Sequence, residues 1–241
     1  MLRFIPYIVA TMLTMAVPAL AGPTVEDVAR ALDHANGRAE ISKQAAILEG
    51  MPAGDAKAAT QLARAHYLLG ESEKDKKKRL PDLDKAIAAS YRALASEPGN
   101  AYALYWKSMA QLQKADVVGG LKALKLVKEA LRGLEAVAVK DPLYDNAGAY
   151  RSRGRVLMEA PSWAFLGDKK EGVRLLEKAK ATAPDCLLNR LYLAEAYRDT
   201  GRKAEAKAEA EFILAAPVRA RVNIDDVEMK DSARKLLADM H

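Results

Sequence analysis

Apolar residues along this chain recur at three- and four-residue intervals, and strict apolar–polar alternation nowhere persists over four residues. Ala and Leu dominate and β-branched runs are scarce, so the pattern predicts an all-α chain. Gly, Pro and Asp/Asn clusters punctuate it into about ten helices. Thr24 to Asn36 and Arg38 to Met51 come first, split by Gly37, and Asp55 to Gly70 follows. A polar loop leads to Asp82 to Ser96, which stops at Glu97-Pro98-Gly99-Asn100. Ala101 to Ala115, Leu121 to Val139 and Tyr144 to Glu159 are bounded by Gly119-Gly120, Asp141-Pro142 and Ala160-Pro161. Asp168 to Thr182, Cys186 to Thr200 and Arg202 to Ala215 complete the regular part, and Asp225 to Met240 reads as a capping helix.

Two of these segments echo one another. Gly167-Asp168-Lys169-Lys170-Glu171-Gly172 and Gly201-Arg202-Lys203-Ala204-Glu205-Ala206 lie 34 residues apart, each opening an amphipathic helix that runs to an Ala-Pro. Helix, turn, helix and proline at that period is the signature of a tetratricopeptide array, which stacks into a solenoid whose usual work is binding. The last unit has the regular spacing: Ala194, Tyr197, Gly201 and Ala206 stand where the repeat wants small, aromatic, turn and small residues. Earlier units are stretched, one by Glu71 to Leu83 and another by Ala160 to Leu166. The expected architecture is therefore a tetratricopeptide-like helical-repeat solenoid. It has about four divergent helix pairs, N-terminal helices before them and a capping helix after them.

The insertions carry a more specific resemblance. Ala103-Leu104-Tyr105-Trp106, Asp141-Pro142-Leu143-Tyr144, Gly154-Arg155-Val156-Leu157, Ala160-Pro161 and Leu191-Tyr192-Leu193-Ala194-Glu195-Ala196 resemble the T-component (TatT-like) family of TRAP transporters, over roughly residues 85–216. The resemblance implies an exported helical-repeat protein that partners the substrate-binding component of an organic-acid importer. The chain departs from a lipoprotein pattern in having no cysteine at the start of the mature sequence.

The N-terminus supports export. Met1-Leu2-Arg3, an apolar run from Phe4 to Ala16, then Val17-Pro18 and Ala19-Leu20-Ala21 form a secretory signal peptide with cleavage after Ala21. The apolar run falls short of the roughly 20 residues a membrane span needs. Residues 22–241 then form a single helical-repeat domain, and the expected location is the periplasm. The formal net charge of +6 loses only Arg3 on cleavage. That modest positive balance favours anionic partners, and export weighs against nucleic acid. Cys186 is the only cysteine, so no internal disulfide can form, and it reads as a small packed hydrophobe at a helix start.

Catalytic chemistry finds little footing. His34, His66 and His241 are the only histidines and none stands at metal-ligand spacing. There is no phosphate loop or nucleophile elbow. The alternation Glu205, Lys207, Glu209, Glu211 reads as a solvated ion-paired face. The expectation is a binding protein without cofactor or metal, not an enzyme.

Registering the repeats places Gln61, Arg64 and Tyr67, then Tyr105, Trp106 and Met109, then Arg151 and Arg155, then Tyr192, Glu195 and Arg198 on the inner face of the first helices. Arg64, Tyr105, Trp106, Arg151, Arg155, Tyr192 and Arg198 are the candidate contacts, because arginine forks take carboxylates and aromatics give rigid contact area. Core packing is the competing reading for each single aromatic, and pairing with nearby acids for Arg151 and Arg155. Arg153 reads as solvated. The expected partner is a protein, such as a periplasmic substrate-binding protein, or a small organic anion; the alternative is a scaffold of the cell envelope. The basic run Lys74 to Arg79 reads as a solvated, mobile connector, with anionic lipid as its functional alternative. Trp163 and Phe165 read as residues packed on the adjacent helix, or as an apolar lip.

Overall fold

The computed structural model describes residues 22–160, 166–218 and 226–240. The signal-peptide segment, Trp163, Phe165 and His241 lie outside them. Among the described residues the chain forms eleven α-helices and no strand. They are α1 Val25–His34, α2 Arg38–Glu49, α3 Ala56–Ser72, α4 Leu80–Ser96, α5 Ala101–Val118 and α6 Gly120–Lys140. Then come α7 Tyr144–Glu159, α8 Lys169–Thr182, α9 Leu187–Asp199, α10 Lys203–Ala215 and α11 Asp226–Ala238. Four hairpins, α3–α4, α5–α6, α7–α8 and α9–α10, stack in chain order. Each first helix also touches the first helix of the next pair. Helices α1 and α2 pack on α3, and α11 closes the far end against α9 and α10. This is the architecture expected from the repeat.

Side chains that stop the helices from fraying are legible in the sequence. Thr24 and Asp27 form a reciprocal capping box, and Asp55, Asn100 and Asp168 each accept a first-turn N–H at 2.9 Å. The basic run departs from expectation. Lys76–Arg79 is a 3₁₀ turn capped by Asp75, pinned by Lys76 to Asp116 at 2.7 Å, and it runs directly into α4. Pro81 sits in the first turn of α4, where its missing N–H costs nothing, so the helix starts earlier than Asp82.

Small residues set the helix spacing. Ala63, Ala86, Ala110, Ala130, Ala179, Ala194 and Ala206 are fully buried, with Leu83, Leu134, Leu176 and Leu193 filling between them. Gly154 of α7 and Gly172 of α8 face one another. A methyl on Gly154 would stand 2.7 Å from Leu176 Cγ and 3.0 Å from the Gly172 carbonyl. Gly172 therefore does not loosen its helix; it lets α7 and α8 meet. The echo between Gly167 and Gly201 likewise hides two different jobs. Gly201 supplies a positive φ of 79°, whereas a side chain on Gly167 would strike the Ala160 carbonyl at 2.9 Å.

Two polar expectations need correction. Glu209, read as part of a solvated face, is buried. It joins Lys180 of α8 and Arg190 of α9, the latter at 2.7 Å, while Arg190 lies 3.4 Å over the Phe212 ring. Arg153, read as solvated, is largely covered and faces Glu135 at 3.4 Å. Cys186 is buried at the start of α9, as expected.

His66 is buried between two carboxylates. It lies 3.5 Å from both Glu49 of α2 and Asp82 of α4, and Asp82 is held at 2.7 Å by Arg38. Burial, helped by Lys85, depresses its pKa below the usual histidine value, although Asp82 and Glu49 pull the other way. A depressed folded-state pKa means that the unfolded chain takes the proton first. The stability involved is present above about pH 6.5 and is lost as pH falls towards the folded value. The urea midpoint should fall between neutral and mildly acid pH, and His66→Gln should flatten that fall. Gly154→Ala should lower stability by about 1–3 kcal/mol through overpacking of the α7–α8 crossing, read from urea unfolding.

Candidate binding surface

The first helices of the pairs present a continuous aromatic run. Tyr67 of α3 lies 5.3 Å from Trp106 of α5, which meets Tyr105 edge-on at 5.1 Å. Tyr144, opening α7, lies 5.1 Å from Tyr105 and accepts the Trp106 indole N–H at 2.8 Å. Tyr102 stacks on Tyr144 at 4.5 Å and reaches solvent. Arg64 stands 5.6 Å over the Trp106 ring and pairs with Asp33 of α1. The fold joins Arg64 and Trp106, but Trp106, expected as a contact, is buried in the core, where core packing describes it.

Tyr105 and Arg151 have a different place from the one expected. Tyr105 is fully buried and Arg151 nearly so. Both serve Asp145: the Tyr105 hydroxyl donates to its carboxylate, and Arg151 Nη2 reaches Oδ2 at 2.6 Å. Burial opposes the Arg151 charge, but Asp145 holds it protonated; burial, reinforced by Asp145, pushes the Tyr105 hydroxyl far up. These two residues support the surface and do not line it. Core packing, the competing reading, describes them.

The reason lies in the backbone. Asp145, Asn146 and Ala147 are left-handed, with φ of 50°, 52° and 63°, and α7 becomes right-handed only at Gly148. Arg151 Nη1 donates to the Asp145 and Asn146 carbonyls, each at 3.2 Å, and to Asn189 Oδ1 at 3.0 Å. Asn189 Nδ2 returns to the Asn146 carbonyl at 2.9 Å. Gly148 is required because a methyl there would collide with the Tyr105 hydroxyl and stand 2.6 Å from Asp145 Oδ2. Periodicity could not reveal this turn, though Asp145-Asn146 before Gly148 is a fair signal of left-handed backbone.

Arg155, Tyr192 and Arg198 do come together, around a small cavity of about 240 Å³ between α7 and α9. Arg155 pairs with Glu159 at 2.5 Å and with Glu195, and lies 4.4 Å over the Tyr192 ring. Burial disfavours its charge, and Glu195 and Glu159 more than restore it. Arg198 reaches Asp199 at 2.9 Å. Each nominated arginine is thus already matched by a carboxylate of this chain.

A larger groove, about 740 Å³, opens where the first half of α6 diverges from the second half of α7. The buried residues of α6 are confined to Ala130 and beyond, and Ala123, Leu124 and Val127 of its earlier turns line this groove. Met109, Leu112, Leu124, Val127 and Val156 give it an apolar wall, and Gln113, Arg155 and Tyr192 a polar one. Oε1 of Gln113 has no hydrogen-bond partner among the described residues. Leu124 and Val127 escaped notice in the sequence because only first helices were assigned to the inner face.

No protein-family model and no curated protein matches the chain. Among solved structures it is similar to the crystal structure of TTC0263, a thermophilic TPR protein in Thermus thermophilus. The TM-score is 0.59 at 20% identity, covering 89% of this chain and 92% of that one. A MamA RS-1 ArsTM double mutant aligns at a TM-score of 0.43 and 18% identity over 84% of each chain. The first likeness establishes the tetratricopeptide-like fold.

Removing the carboxylate partner of the buried Arg151 should be far more costly than removing a surface pair. Asp145→Ala should lower stability by about 3 kcal/mol in urea unfolding, because it strands a buried guanidinium. Arg198→Ala should stay within about 0.5 kcal/mol of the parent.

Proposed function

We propose that this protein is a non-catalytic binding module whose groove between α6 and α7 takes a segment of a partner protein. The observation that carries the reading is the groove itself. Its roughly 740 Å³ has a largely apolar wall from the α5–α6 hairpin, which also carries Gln113, facing Arg155 and Tyr192. Such a lining suits an apolar anchor with a few polar contacts at its side. Arg64, Arg151, Arg155 and Arg198 all carry carboxylate partners within the chain, so a small organic anion would have to displace one of them. That favours a protein partner over a free organic acid.

The resemblance to TRAP T-components names a candidate: the substrate-binding protein of an organic-acid importer. The signal-peptide pattern of residues 1–21 supports meeting it after export.

Titration calorimetry between the full chain and such a substrate-binding protein tests the reading. Leu124→Asp and Val127→Asp, at partly exposed positions, should each weaken binding at least about tenfold with the helical circular dichroism intact, since each puts a charge against an apolar anchor. Unchanged affinity in both variants would sink the groove. A panel of organic acids should leave the melting temperature where it is; a rise would return the ligand to a small anion.

A further inference from the structure

Two segments far apart in sequence meet at one edge of the molecule. The 3₁₀ turn Lys76–Arg79 is tied to the end of α5 by the Lys76–Asp116 pair at 2.7 Å, and Arg79 shares a cavity wall with Asp116, Gly119 and Gly120. Gly119 and Gly120, with φ of 62° and 59°, make the tight α5–α6 turn and hold Leu121 out at its tip. Leu121 is 80% exposed. Lys74, Lys77 and Lys78 on one segment and Lys122 and Lys125 on the other are exposed and form no ion pair among the described residues.

The acids of this edge are otherwise engaged. Asp75 caps the 3₁₀ turn, Asp116 holds Lys76, Glu73 accepts the Asp75 N–H at 3.0 Å, and Glu71 accepts the Tyr67 hydroxyl from the inner face. These carboxylates keep their charge, but seven cations on the two segments outnumber four acids, so the edge is net positive and carries five lysines without an ion-pair partner beside one protruding leucine.

We propose that this edge docks on an anionic phospholipid surface, with Leu121 entering the headgroup layer and the five lysines facing lipid phosphates. Charge complementarity selects the lipid: a bilayer offers a dense negative plane for a row of lysines and an apolar layer beneath it. An acidic protein surface would answer the lysines but leaves Leu121 in water unless it also supplies a pocket. Among the described residues no helix is long and apolar enough to cross a membrane, so the contact is peripheral. The edge borders the groove at Arg79, Asp116, Gly119 and Gly120, but neither reading needs the other.

Sedimentation of the full chain with phosphatidylcholine vesicles, with and without about one third phosphatidylglycerol, decides it. All variants share the same first 21 residues, so differences between them report on this edge alone. The parent should bind the anionic vesicles and lose binding as salt rises from about 0.1 to about 0.5 M. Lys74→Ser/Lys77→Ser/Lys78→Ser should cut partitioning on the order of a hundredfold, at about fivefold per lysine. Leu121→Ser should cut it about tenfold. Arg234→Ala, at an exposed arginine of α11, should leave it unchanged. Equal binding to neutral vesicles, or triple and Leu121 variants that bind like the parent, would overturn the proposal. So would loss in the lysine variant with none in Leu121→Ser, which would mark a general polyanion surface.

Discussion

The inner surface of this solenoid is organised around one half-buried carboxylate, Asp145, paired with the buried Arg151. Three consecutive left-handed residues would cost about 1–2 kcal/mol each outside glycine, less for Asp and Asn. They persist because their carbonyls and the Asp145 side chain are held by Tyr105 from α5, Arg151 from α7 and Asn189 from α9. Charge-assisted bonds in a water-poor setting are strong enough to hold such a backbone. The turn in turn sets where α7 starts, and so how the third helix pair sits against the second and the fourth.

That arrangement divides the nominated residues by role. Tyr105 and Arg151 are consumed in holding the turn and Trp106 is packed in the core beside them, while Arg64, Arg155 and Tyr192 remain partly exposed. The pairing of each arginine with an acid of the chain turns an apparent basic face into a nearly balanced one. What remains distinctive there is shape and apolar area: the groove left where α6 and α7 part. The net positive charge lies on the edge that carries Leu121, which borders the groove at Arg79, Asp116, Gly119 and Gly120.

Several side chains have a plain type and a neighbourhood that only the fold supplies. Gly172 differs from Ala206 at the matching repeat position because Gly154 stands opposite it, on a helix of the same pair. Glu209 belongs by sequence to a charged, solvated stripe, yet Lys180 and Arg190 converge on it from two other helices. Leu124 and Val127 look like the inward stripe of an ordinary second helix. They line a groove because α7 turns away from them.

Helical periodicity, capping residues and the 34-residue echo determine the all-α repeat, the pairing of helices and nearly every helix boundary. These are local effects: backbone hydrogen bonds within a segment, and an apolar face that must find a neighbour. Handedness at Asp145, the burial of Tyr105 and Arg151, the neutralisation of the arginines and the meeting of Lys76 with Asp116 were decided only by the tertiary structure. Tyr105 and Asp145, Arg155 and Glu195, and Lys76 and Asp116 are each 40 residues apart, and such long-range interactions leave no period in the sequence.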